Sequence, residues 1–164
     1  MFGGPSPFAT KLSECFTKGY FTINNEPDIE YPYLFRYARG FEGRTPGVLQ
    51  EILRRDFGTG PAGLPGNDDA GAISAWFVFT ALGLYPECPG SDKYILGVPL
   101  FRRARIVLDH HYYPGGEFTI ELRDGERETF QMNGSTMEGY LVDYSTVVHG
   151  GTLTVISPLR PAGQ

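Results

Sequence analysis

The sequence predicts an α+β chain whose helices precede its strands. Three observations carry this. From Ser6 to Leu84 the apolar residues recur at helical spacing. From Lys93 to Pro158 they alternate and are β-branched or aromatic. Gly115-Gly116, Asp124-Gly125, Asn133-Gly134 and Gly150-Gly151 then punctuate the second half at hairpin spacing. The expected division is a helical portion over residues 1–90 and a small antiparallel β-sheet segment over 91–164. With 164 residues, 41% of them hydrophobic, the chain can bury a core of ordinary size.

The first helical face is Phe8, Leu12, Cys15 and Phe16, closed by Gly19. A second helix is expected over Tyr33–Ala38, between the Pro27/Pro32 punctuation and Gly40. For the third, Thr45 stands where an N-cap hydroxyl is wanted and Pro46 takes the first helical position. Val48, Leu49, Ile52 and Leu53 then face inward until Gly58. The fourth, Ala70–Leu82, has almost no polar side and is expected to be buried all round. Gly58–Gly66 between the last two is too short for an interdomain linker and reads as a shaped loop. After a Pro86–Gly90 corner, strands are expected at Tyr94–Val98, Ala104–Leu108, Glu117–Leu122, Thr129–Met132, Tyr140–Val142 and Thr152–Ile156.

Composition excludes several function classes. A net charge of −5 gives no basic field for nucleic acid, and no Lys/Arg run marks an anionic membrane surface. No apolar run approaches a membrane span, and no export signal is read in Met1–Pro7. Cys15 and Cys88 allow at most one disulfide and have no metal-type spacing. There is no Walker loop, dinucleotide fingerprint or serine elbow. Adjacent His110 and His111 at a strand end would point to opposite faces, which argues against shared metal ligation. Asn133-Gly134-Ser135 fits a glycosylation acceptor, yet a hairpin turn explains its Asn-Gly sufficiently.

Chemistry concentrates in Gly66-Asn67-Asp68-Asp69-Ala70-Gly71, which leads straight into the fourth helix. Unpaired N–H groups and the positive end of the helix dipole favour ionised carboxylates there, as a general base or cation ligand requires. One carboxylate is equally well explained as an N-cap. A second cluster, Asn24-Asn25-Glu26-Pro27-Asp28, offers the oxygen donors a hard cation such as Ca²⁺ prefers, without the spacing of an EF-hand loop.

Gly63–Gly71, Ser74–Phe79 and Ala81–Pro86 resemble the signature block of glycoside hydrolase family 92. Asn25-Glu26-Pro27-Asp28 with Tyr33-Leu34-Phe35, then Pro89-Gly90-Ser91, Tyr94 and Gly97–Phe101, match the same family in the same order. The resemblance implies a calcium-dependent, inverting exo-α-mannosidase acting on mannose-containing glycans. It also implies that the helices here are the C-terminal helices of a six-hairpin (α/α) toroid, an incomplete barrel followed by the β layer, and that the full-length protein is secreted or periplasmic. By motif position Asp69 corresponds to the general base. Asp68 and Asn67 become its orienting or water-binding partners, with Asn67 standing where some members have an acid. Asn25 and Glu26 are carried over as calcium ligands, and Asn67 and Glu26 as substrate-pocket residues. The family's general acid, a Glu in a Glu-Gly-Asn-x-Trp type motif, has no counterpart in this chain. The expectation is therefore the base side of a mannosidase site, with the missing N-terminal part of the same enzyme as partner. A non-catalytic sugar-binding or structural remnant is the alternative.

Overall fold

The computed structural model describes residues 2–24 and 26–159. Two compact units, Met1–Val78 and Phe79–Gln164, meet inside one helix.

In the first unit, α1 spans Pro5–Thr17, with Pro at its start where a missing N–H is harmless. Gly19, at φ +70°, ends it as expected, and Tyr20 and Phe21 both donate N–H to the Cys15 carbonyl. The expected second α-helix is instead a 3₁₀ helix, Tyr31–Tyr37. Its bonds run from Tyr33 N–H to the Glu30 carbonyl and from Ala38 N–H to the Phe35 carbonyl, three residues back. The segment is a short connector bonded at i→i+3, a setting in which the tighter 3₁₀ pattern is common. Helix α2 spans Arg44–Asp56 and Gly43, not Thr45, occupies its N-cap. Thr45 lies inside the helix, fully buried, and its hydroxyl donates to the Pro32 carbonyl at 3.0 Å, tying α2 to the 3₁₀ segment. Ala9, Leu12, Phe35 and Ala38 form a core between α1, the 3₁₀ helix and the turn after it.

Helix α3 runs Ala72–Leu82, two residues shorter at its start than expected. Ile73 and Trp76 are buried, but Ala75 is exposed and Val78 is 54% exposed, which corrects the expectation of burial all round.

The second unit holds two sheets. Strands β1 (Leu84–Pro86), β2 (Lys93–Leu96) and β7 (Leu141–Asp143) form one antiparallel sheet in that order. Leu84 lies opposite Leu96, and Tyr94 opposite Val142. The other sheet is ordered β3-β4-β8-β5-β6: Arg103–Val107, Glu117–Asp124, Gly151–Ser157, Thr129–Met132 and Ser135–Thr136. It is mixed, not antiparallel throughout, because β4 and β8 run parallel with Ile120 opposite Leu153. The last strand inserts between β4 and β5, which run in opposite directions. Being antiparallel to β5 makes it parallel to β4. Phe118, Ile120, Leu122, Leu153 and Val155 fill the core beneath.

Four elements went unanticipated: the 3₁₀ turn Glu26–Asp28, β1, β6 and the short helix α4, Tyr144–Val148. Strand β1 precedes the expected boundary at residue 90 and joins the second unit through β2. Asn133 and Gly134 form the two-residue hairpin loop read from sequence, with φ of +50° and +83°. The Asn133 side chain accepts the Thr152 N–H at 2.8 Å, a structural use of the glycosylation-like asparagine. His110 and His111 lie in a turn beyond β3, not at a strand end. His111 contacts Asp109 at 3.2 Å. Cys15 and Cys88 are free thiols.

Candidate active site

Three successive residues before α3 adopt left-handed backbone: Asp69 at φ +46°, Ala70 at +60° and Gly71 at +94°. Only glycine does this freely, so Asp69 and Ala70 each cost roughly 1 kcal/mol or more. The loop is held by Asp68, whose carbonyl accepts N–H bonds from Gly71 (3.1 Å) and Ile73 (3.3 Å). One Asp68 carboxylate oxygen accepts the Ser74 N–H at 2.7 Å, and the other accepts the Ser74 hydroxyl. Asp68 is thus the side chain that caps α3.

Asp69 is exposed, and among the described residues no group hydrogen-bonds its carboxylate. Asn67 is exposed beside it. The two adjacent aspartates, alike in sequence, occupy different situations: one carboxylate is held at a helix start by Ser74, and the other is exposed with no hydrogen-bond partner among the described residues.

The second cluster packs against the first. A Cβ added to Gly66, at φ +91°, would stand 2.7 Å from the Asn24 Cβ, so only glycine permits this approach. Trp76 of α3 donates its indole N–H to the Ile29 carbonyl at 2.9 Å, and its ring stacks on Phe57 with centroids 5.7 Å apart. Trp76 therefore links α3 to the chain just beyond the short 3₁₀ turn Glu26–Asp28. Glu26 itself is exposed, and Asn25 lies outside the described residues.

Sequence reasoning missed three contributors. Ser74 is the partner of Asp68, a pairing six residues apart that no common capping pattern flags. Arg55 and Asp56 form a two-point ion pair with both N···O distances at 2.8 Å. With Phe21, Asn24, Pro65 and Gly66 they line an open pocket of about 330 Å³ beside the acidic loop. At the end of α2 an Arg reads as routine helix-terminal charge, so nothing local marks it.

The acidic side chains of the described residues are dispersed. No three His, Cys, Asp or Glu side chains gather among them, whereas Ca²⁺ takes about six to eight oxygen ligands.

Hydrogen bonds from the Ser74 hydroxyl and backbone hold the Asp68 carboxyl below its ordinary value of 3.8. A carboxyl depressed on folding stabilises the native state fully above its unfolded value, and that contribution is lost as pH falls through the lower folded value. Comparing Asp68→Asn with the parent by urea unfolding, the parent's advantage should be present at about pH 6 and fall away as the pH is lowered through the depressed folded value. A stability difference independent of pH would contradict the ionised cap.

Comparison with known proteins places this arrangement. Residues 1–156 match the glycosyl hydrolase family 92 catalytic domain. The class is thus glycoside hydrolase, and the chain belongs to family 92. It is 28% identical over 160 residues to an uncharacterized secreted glycosidase of Arthroderma benhamiae, covering 93% of this chain and 20% of that protein. It is also similar to a family 92 α-mannosidase from Bacteroides thetaiotaomicron, with TM-score 0.83, 25% identity, and 96% of this chain on 22% of the other. A family 92 inverting mannosidase of the same organism shares the fold at TM-score 0.81 and 24% identity, with coverages of 97% and 25%. The chain therefore spans about a fifth to a quarter of the length of these relatives. Among the described residues no helix is long and apolar enough to cross a membrane.

Proposed function

We propose that this chain supplies the general-base side of an inverting exo-α-mannosidase, as the C-terminal helices of a helical toroid with an appended β unit. The observation that carries the reading is the exposed Asp69 carboxylate beside an Asp68 held by Ser74, within a chain matched over residues 1–156 to the family 92 catalytic domain. In this reading Asp69 takes a proton from a water as that water attacks the anomeric carbon of a terminal α-linked mannose. Asn67 orients the water or a ring hydroxyl, and Glu26 faces the sugar.

Inversion requires a second carboxyl, about 6.5–9.5 Å from the base, to protonate the leaving oxygen. That acid comes from a part of the full-length protein outside this chain. Calcium is a proposal of the same kind: Asn25 and Glu26 contribute oxygens, and most of the shell comes from elsewhere. The secreted relative supports export of the full-length protein.

The test uses a synthetic α-mannoside followed by NMR. The full-length protein should release mannose first as the β-anomer, and the isolated chain should release none. First-formed α-mannose, or no hydrolysis by the full-length protein, would refute the reading. Chelator-sensitive release by the isolated chain would refute the division of the site.

A further inference from the structure

The left-handed run Asp69-Ala70-Gly71 is enclosed by a ring of contacts that Ser74 closes. Asp68 stands before the run and Ser74 after it, and both Asp68 carboxylate oxygens bond to Ser74, one through the backbone N–H and one through the hydroxyl. Inside the ring the Asp68 carbonyl accepts Gly71 and Ile73 N–H, and the Asp69 carbonyl accepts Ala72 N–H at 3.3 Å. The backbone of Asp69 is therefore defined from both sides, although among the described residues its carboxylate has no hydrogen-bond partner of its own. Two non-glycine residues in left-handed conformation persist only where neighbouring structure over-determines them. Asp68 and Ser74 provide that determination.

We propose that Ser74 is a positioning residue for Asp69, acting through Asp68: the Asp68–Ser74 clasp holds the left-handed turn that projects the Asp69 carboxylate. This inference deepens the proposed base role of Asp69 and rests on it. A carboxylate on a single turn of strained backbone is aimed by φ and ψ more than by its own side chain. Loosening the turn should therefore cost orientation at the reacting centre and leave substrate binding nearly intact.

The experiment is a double-mutant cycle in the full-length enzyme, with kcat and KM measured well below the thermal midpoint of every variant. Ser74→Ala should lower kcat about 10-fold or more with KM changed less than about twofold. Ser74→Thr, which keeps the hydroxyl, should restore most of the rate. In an Asp69→Asn background, Ser74→Ala should cause no further loss, because the group it positions has lost its chemistry. Wild-type kcat in Ser74→Ala, failure of Thr to rescue, or an equal fall in both backgrounds would overturn the inference while Asp69→Asn alone stays impaired. Wild-type kcat in Asp69→Asn would instead remove the base assignment and this inference with it.

Discussion

Asp69→Asn in the full-length enzyme should lower kcat by about 10²–10⁴-fold, the usual cost of losing a general base. The substitution is a clean probe for a structural reason. Position 69 sits at φ +46°, and Asn accepts left-handed backbone at least as well as Asp, so the turn survives. Among the described residues the Asp69 carboxylate makes no hydrogen bond whose loss could unsettle the loop. Asp68→Asn is the internal control. Asparagine still accepts the Ser74 N–H and can donate to the Ser74 hydroxyl, so the clasp persists and kcat should stay within a few-fold. A fall in kcat confined to Asp68→Asn would mean that the wrong carboxylate carries the base. Parent rates in both variants would remove base chemistry from this loop.

Trp76→Ala should produce the largest loss of stability, about 3–5 kcal/mol, the range for emptying a large buried aromatic site. Trp76 is only 1% exposed and stacks on Phe57. Its removal also takes away the indole N–H from the Ile29 carbonyl. Trp76→Phe keeps an aromatic ring against Phe57 but loses the hydrogen bond, at about 1 kcal/mol, and leaves a smaller cavity, so its loss should fall between the parent and Trp76→Ala. Because that bond ties α3 to the segment after Glu26, Trp76→Phe should also raise KM more than it lowers kcat. Urea midpoints of the full-length protein measure the first effect and steady-state kinetics the second. A Trp76→Ala midpoint within error of the parent would show that the indole does not hold this unit together.

The comparison of adjacent positions explains what could be read in advance. The acidic loop and its place at a helix start were legible because Gly, Asn and Asp before an apolar run have local meaning. The roles within the loop were not. Asp68 and Asp69 differ only through three left-handed residues and a partner at Ser74, neither of which a local pattern encodes. Thr45 makes the same point: its hydroxyl suits an N-cap, yet burial against the Pro32 carbonyl, thirteen residues earlier, wins. The segment Tyr31–Tyr37 is 3₁₀ and not α, a distinction that apolar spacing over so few residues does not encode.

By itself the sequence determined a mainly helical first part before the strands, the stop of α1 at Gly19, the bounds of β5, the Asn133-Gly134 hairpin and, through its ordered motifs, the family. These rest on interactions between residues close in the chain, or on side-chain types at fixed spacing. Tertiary structure alone decided that the last strand enters between β4 and β5 and turns the sheet mixed. It also decided that Gly66 closes on Asn24, that Trp76 reaches Ile29, and that Asp68 is held by Ser74 while Asp69 is left exposed. Each of these outcomes depends on partners whose nearness is set by packing and register, and a one-dimensional pattern carries no term for them.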